Sequence, residues 1–273
     1  MIVDKLNELK KIVNSGNIPA ANFHWGMHDV GFIDKLPEKR ENEFYGDPEY
    51  IVTPHSRKIS WLMEQLGPAW YGMKNVKTDR FGFFIPIVNA VNEAIKRNPD
   101  SSGEALCSVI LETAENVIAE TITEAACNGV VDPDGLHIYF AYGSNMNMTQ
   151  MAERCPGAIT LGKAVLSGYK LVERKYADID VAEGAETEGV LYAISDSHLK
   201  TLDQREGYHI GIYDRKSVTV RIGDNHCAAI VYEMRPATKR KRDGLPYTDD
   251  YRRKCSQGAK QHGVKDGFEI NRQ

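Results

Sequence analysis

The chain has 273 residues, of which 42% are hydrophobic and 26% charged, with a net charge of −4 at pH 7. That length is long for one domain and comfortable for two, and the hydrophobic share suffices for buried cores. The mild negative charge excludes global attraction to nucleic acid or an anionic membrane, and no window approaches the roughly 18 consecutive apolar residues of a membrane span.

The first segment, MIVDKLNELKKIVN, predicts an amphipathic helix with Val3, Leu6, Leu9, Ile12 and Val13 on one face. It lacks the apolar centre and cleavage site of a signal peptide. Residues 18–53 are aromatic and rich in turn formers, and no element is assigned there. Within them His24 and His28 have the H-x-x-x-H spacing that places two imidazoles on one helical face. Trp25 stands where zinc proteases carry Glu, Gly26 is a poor helix residue, and no third ligand is evident, so ordinary hydrogen-bonded histidines are expected and no metal. Helical spacing returns at 55–66 and 85–96, with Phe81–Ile85 expected in core or interdomain packing. The longest periodic stretch is 103–127. There Ala105, Val109, Leu111, Val117, Ile118 and Ile122 are expected inward, with Glu112, Glu115, Glu120 and Glu124 mostly outward.

The sequence Asn128-Gly-Val-Val-Asp-Pro-Asp-Gly135 joins turn formers, Gly for its positive φ and Pro for its preset φ. It places a boundary between a mainly helical domain, 1–130, and a second domain, 136–273. Beyond it the pattern changes to short strands at 136–142, 168–174, 188–194, 215–222 and 227–234. Helices are expected near 148–154, at 196–204 with Ser195 or Asp196 as cap, and at 248–262. The combination predicts an α+β domain with a mainly antiparallel or barrel-like sheet. Five scattered cysteines without a C-x-x-C pair (Cys107, Cys127, Cys155, Cys227, Cys255) read as free thiols of a cytoplasmic protein.

Two motifs carry chemistry. Phe140-Ala-Tyr-Gly-Ser-Asn-Met146 ends a strand and leads into a helix, with Asn147 and Gln150 at capping-box spacing. Free N–H groups at such a junction suit a carboxylate or a developing oxyanion, and Gly143 lets backbone approach a ligand. Leu202-Asp-Gln-Arg-Glu-Gly-Tyr208 ends a helix and offers Glu206; by itself a charge at a helix end is usually solvated. Their order and spacing, together with Arg154-Cys-Pro156, Gly189-Val-Leu-Tyr192, Tyr213, Tyr232, and Tyr251 ahead of Gly258-Ala-Lys260, resemble the γ-glutamylcyclotransferase family from about His137 to Val264.

The resemblance implies a small mixed or antiparallel β-barrel with flanking helices and an intramolecular reaction. The substrate's α-amino group attacks its own γ-amide carbonyl, releasing 5-oxoproline and a free amine. It implies Glu206 as the general acid/base, and substrate binding by Tyr142, Gly143, Ser144, Asn145, Tyr213, Tyr232 and Tyr251, without cofactor or metal. Tyr213 and Tyr232 fit equally well as core aromatics with satisfied hydroxyls. The implied partner is a small γ-glutamyl amide. The released amine stays open, and the helical domain is expected to serve as a lid or docking surface for a large substrate or protein partner. The alternative is a non-catalytic ligand-binding or docking protein that retains the fold, although an intact Glu206 beside the Tyr142–Asn145 loop favours catalysis. Asp178 and Asp180 alternate on an expected strand near the implied cleft, where they suit either rejecting an acidic acceptor group or attracting a cationic amine. Lys239-Arg-Lys-Arg242, followed by Asp243, is expected as a solvated loop.

Overall fold

A computed structural model describes residues 1–21 and 55–268. The His24–His28 pair and nearly all of the unassigned turn-rich stretch lie outside the described residues. The described parts of 1–73 and 77–121 form one compact unit, and those of 74–76 and 122–273 form a second.

The first unit is helical. Helix α1 (Ile2–Asn14) buries Ile2, Val3, Leu6, Leu9 and Val13, the face its spacing defines, and packs on α2 (Ser56–Tyr71). Helix α3 (Arg80–Arg97) starts where the Asp79 carboxylate accepts from the Gly82 N–H at 2.6 Å, an N-cap that satisfies one orphan donor. The Phe81–Ile85 cluster divides. Phe83 is fully buried and stacks on Trp70 with ring centroids 4.5 Å apart, whereas Phe81 and Ile85 are about half exposed.

Helix α4 (Gly103–Cys127) spans its expected residues, but its buried stripe is rotated. The inward row runs Leu106, Ile110, Ala114, Ile118 and Ile122, with Leu111 beside it. Ala105 is exposed, and Val109 and Val117 are only partly covered. Apolar residues crowd two adjacent faces over 105–111, so one turn does not define the face. The regular i, i+4 row does.

The second unit is a five-stranded closed barrel, confirming the α+β expectation. Its strands are β1 (His137–Ala141), β2 (Ile159–Arg174), β3 (Tyr176–Ile194), β4 (Tyr213–Ile222) and β5 (Asn225–Met234), in the order β1-β3-β2-β4-β5. Neighbours are antiparallel except β1 and β5, which close the barrel in parallel at Tyr139↔Ile230. Four of the five β1 residues are buried, matching its unbroken apolar run.

The hairpin β2–β3 is longer than the sequence pattern suggests. Register shifts between Thr160 and Gly162, and between Ser167 and Tyr169, break the alternation. Such bulges add local twist and help a sheet curl closed. Around the barrel lie α5 (Met148–Arg154), α6 (Asp196–Glu206), α7 (Pro236–Arg242) and α8 (Asp249–Gln261). The Lys239–Arg242 run is therefore the helix α7, not a loop. Pro236 stands in its first turn, where the missing N–H costs nothing. Lys239 leaves solvent for the carboxylates of Asp180 and Glu233, at 2.7 and 2.6 Å.

Two aspartates on β3 also differ from expectation. Asp178 is fully buried, accepts from the Met234 N–H at 2.9 Å and pairs with Arg174 at 2.7 Å. Asp180 pairs with the same guanidinium at 2.6 Å, which holds its carboxyl down at about 2. Their charges are spent on packing, so neither serves a substrate amine. Among the described residues no helix is long and apolar enough to cross a membrane.

The crossing of β1 and β3 depends on Gly189. A Cβ there would overlap the Ala141 carbonyl oxygen and stand 2.7 Å from the Phe140 ring. Backbone cannot yield as a side chain can. Gly189→Ala is expected to destabilise the barrel by about 1–3 kcal/mol, read as a lower denaturant midpoint with an unchanged slope.

Candidate active site

The loop that leaves β1 is held from several sides. Tyr142 Oη donates to the Tyr232 carbonyl at 2.5 Å. Asn147 caps α5 by accepting from the Gln150 N–H at 3.0 Å. The Gln150 side chain completes no capping box; it turns to Ser144 Oγ at 2.8 Å and Asn145 Oδ1 at 3.3 Å. Helix α8 presses on the loop through Gly258, where a Cβ would lie 2.5 Å from the Asn147 nitrogen. The loop, turn and cap hydrogen bonds of the described residues leave the N–H groups of Gly143, Ser144 and Asn145 without a backbone acceptor.

Glu206 arrives from the opposite direction. Helix α6 begins at Ser195, whose Oγ accepts from the His198 N–H while His198 Nδ1 accepts from the Ser195 N–H, both at 3.3 Å. It ends after Glu206 because Gly207 takes a left-handed conformation, φ 65°. Leu199, Leu202 and Asp203 face inward on that helix and fix its roll. Its last residue then meets the loop: Asn145 Nδ2 donates to Glu206 Oε1 at 3.2 Å and to Tyr139 Oη at 2.8 Å. On the other side of Asn145, Arg154 Nη1 donates to Oδ1 at 2.6 Å and stands 3.8 Å from the Glu206 carboxylate.

These residues line a cavity of ≈ 510 Å³, within the range of small-molecule sites. It brings together all eight residues that the sequence analysis singled out: Tyr142, Gly143, Ser144, Asn145, Glu206, Tyr213, Tyr232 and Tyr251. The two strand tyrosines are core aromatics with satisfied hydroxyls, and they also line the cavity. Tyr213 donates to the Ala177 carbonyl and Tyr232 to Asp203 Oδ1, each at 2.8 Å, while both side chains also face the cavity. Tyr251 Oη accepts from the Ala177 N–H at 3.0 Å.

The same wall contains residues the sequence reading did not select, among them Tyr139, Gln150, Arg154, Tyr176, Arg242 and Lys254. Gln150 and Arg154 were reachable, because positions i and i+4 of a helix starting at the loop share a face. Arg242 was hidden inside a basic run assigned to solvent.

Burial raises the Glu206 pKa, opposed by the charge of Arg154 and the hydrogen bond from Asn145. The negative end of α6, in whose last turn it lies, acts in the same sense as burial. Tyr139, Tyr142, Tyr213, Tyr232 and Tyr251 are all held above the ordinary tyrosine value, chiefly by burial and with Glu206 adding to each. They stay protonated in the neutral range. The cavity therefore combines one perturbed carboxyl group, unengaged loop N–H groups and neutral phenols. That set suits proton transfer beside a polarised carbonyl.

Residues 139–253 match the family model "Gamma-glutamyl cyclotransferase, AIG2-like". The matched region contains all eight residues that the sequence analysis singled out. Over 152 residues the chain is 28% identical to the gamma-glutamylcyclotransferase of Bos taurus, covering 50% of this chain and 78% of that protein. Over 156 residues it is 26% identical to the gamma-glutamylcyclotransferase of Homo sapiens, covering 52% and 81%. A crystal structure of an uncharacterized Homo sapiens protein superposes with a TM-score of 0.46 at 25% identity, covering 51% of this chain and 91% of that one. The similarity lies in the C-terminal half.

A carboxyl group whose pKa is higher folded than unfolded binds more protons in the native state between the two values. Stability then falls as pH rises from the ordinary carboxylate range through the folded value. Glu206→Gln removes that loss. Its Tm should exceed that of the parent at neutral pH, with the gap closing below about pH 4, where both forms carry a neutral group.

Proposed function

We propose that the second unit is a γ-glutamylcyclotransferase acting on small γ-glutamyl amides. The observation that carries this reading is the Glu206 carboxyl group at the cavity wall, hydrogen-bonded to the loop whose own N–H groups are unengaged. Family similarity over 139–253 supports the same assignment.

The reaction needs no nucleophile from the protein. Glu206 removes a proton from the substrate α-ammonium, and the freed amine attacks the γ-carbonyl carbon. A C–N bond forms within a five-membered ring and negative charge moves to the carbonyl oxygen. As the ring carbonyl is restored, the original amide C–N bond breaks and Glu206 passes its proton to the departing nitrogen; the ring nitrogen sheds its second proton to the emptied carboxylate, and the released amine carries it away as an ammonium. The products are 5-oxoproline and a free amine, with no water consumed.

A raised Glu206 pKa serves both halves, because the best acid/base group lies near the working pH. Holding a linear substrate folded toward the ring geometry supplies the proximity advantage of intramolecular attack. In this reading the N–H groups of Gly143, Ser144 and Asn145, which no backbone oxygen engages, receive the carbonyl oxygen or the α-carboxylate. Tyr142, Tyr213 and Tyr232 have their protons committed to protein acceptors. They act as rigid walls, Tyr251 completes the enclosure, and Asn145 orients Glu206.

The test is 5-oxoproline release from γ-glutamyl amides by the full chain and by Glu206→Gln. The parent should turn over, and the variant should lose roughly 10²–10⁴-fold in kcat/KM. The kcat/KM profile should rise with pH at values above the ordinary glutamate pKa of about 4.3, since the base must be ionised. Undiminished release by Glu206→Gln would refute the assignment of the base. Binding of γ-glutamyl amides without release by the parent would favour the non-catalytic alternative.

A further inference from the structure

Four of the tyrosines around Glu206 have their protons committed within the protein. Tyr142 donates to the Tyr232 carbonyl, Tyr213 to the Ala177 carbonyl and Tyr232 to Asp203. Tyr251 accepts from the Ala177 N–H and hydrogen-bonds the Cys255 thiol. Tyr139, at the middle of β1, lines the same cavity and is only 4% exposed. Its proton is not committed.

The direction of the hydrogen bond at Tyr139 is decided at the other end of the Asn145 amide. Asn145 Oδ1 faces Arg154 Nη1 at 2.6 Å and Gln150 Nε2 at 3.3 Å. A guanidinium can only donate, so the carbonyl end of the amide must face it and the NH2 end must face away. That NH2 group gives one hydrogen to Tyr139 Oη at 2.8 Å and the other to Glu206 Oε1 at 3.2 Å. Tyr139 is therefore the acceptor of its bond to Asn145. Among the described residues nothing accepts from its own hydroxyl. A buried phenol normally finds an acceptor, and leaving one without is costly, so the acceptor here arrives with a ligand.

The shared NH2 group also sets where that ligand atom lies. It holds the Tyr139 and Glu206 oxygens side by side, so the phenol stands next to the base at the reacting end. The Tyr139 ring is braced edge-on against Tyr232, with centroids 5.9 Å apart. A substrate with its α-amine at Glu206 offers two acceptors close by, the α-carboxylate and the γ-carbonyl oxygen. The carboxylate has two oxygens and a permanent charge, which suit the several N–H groups of the Gly143–Asn145 loop. The carbonyl oxygen gains its charge only as the ring closes, and a neutral donor fixed beforehand stabilises such a charge selectively. Burial keeps the phenol protonated while it does so.

We propose that Tyr139 is a catalytic residue whose hydroxyl donates to the γ-carbonyl oxygen as the ring closes, while the loop N–H groups hold the α-carboxylate. The proton stays on the phenol throughout, and the bond weakens again when the carbonyl is restored. This inference rests on the cyclotransferase reading and divides the donors of that same site between two groups of the substrate.

The test is 5-oxoproline release by the full chain carrying Tyr139→Phe, which removes one oxygen and keeps the ring against Tyr232. Compared with the parent, kcat should fall roughly 10²–10³-fold, with KM and the midpoint of the kcat/KM pH profile unchanged. A substrate with sulfur in place of the γ-carbonyl oxygen, a poorer acceptor, should be disfavoured by the parent and much less so by Tyr139→Phe. A second measurement keeps the hydroxyl. Fluorotyrosine at position 139, in a chain also carrying Glu206→Gln, should show a fluorine resonance that moves when the oxygen substrate binds and moves less with the sulfur one.

An unchanged kcat in Tyr139→Phe, or an equal fluorine response to the two substrates, overturns the inference and leaves the cyclotransferase reading intact. So does a raised KM at constant kcat, which would put the phenol on a group bound equally before and during reaction. A fall in kcat accompanied by a shifted pH midpoint also overturns it, since Tyr139 would then act only through Asn145 and Glu206. No release by the parent overturns both.

Discussion

The hydrogen bond from Asn145 Nδ2 to Glu206 joins the two halves of the site, and most of the second unit serves to make it possible. Asn145 sits in a loop that β1 delivers, that α5 caps and that α8 covers at Gly258. Glu206 sits at the last position of α6, whose length is set by the Ser195 cap at one end and Gly207 at the other. A partly covered carboxyl group without a donor would swing to solvent or lose its charge. With one amide donor and a guanidinium at 3.8 Å it keeps its place while its pKa stays raised. The balance is physical: fully paired, the group would be held in its charged form, and unpaired, it would be free to turn away from the loop.

The barrel determines which residues face that carboxyl. Tyr142, Tyr213 and Tyr232 come from β1's exit, β4 and β5, and each hydroxyl is fastened to a protein acceptor on another strand or helix. Their rings are therefore parts of the framework as much as of the cavity. Substituting one of them disturbs strand contacts and pocket shape together, so effects on folding and on the cavity will be coupled at these positions.

Much of this architecture was legible in the sequence, for identifiable reasons. Helices with clean spacing, such as α1, or with clear caps, such as α5 and α6, follow from residue patterns alone. Helix α4 was found with its true ends and with Leu111, Ile118 and Ile122 rightly inward, but Ala105, Val109 and Val117 were misplaced, and over 105–111 two adjacent apolar stripes compete. The β2–β3 hairpin was underestimated because bulges interrupt the two-residue alternation. Helix α7 was missed because four consecutive cations read as solvated, and only the folded chain brings Asp180 and Glu233 to Lys239. The site was legible through short motifs in order rather than through physical signals in any one of them. Nothing local to Glu206 reveals its burial, and nothing local to Arg242 distinguishes it from its neighbours.

The carboxylate cluster beneath α7 separates two responses to ionic strength. Arg174 and Glu233 have side chains only 9% exposed and Asp178 none, so dissolved ions have little access to these pairs. Mobile salt weakens exposed charges across a Debye length of about 8 Å at physiological strength, and acts far less on shielded ones. Adding salt should therefore leave α7 in place while it dulls the attraction of Arg205 and Lys254 at the cavity mouth. The second unit keeps this anchorage over a range of ionic conditions in which the charge presented at its cavity is screened to different degrees.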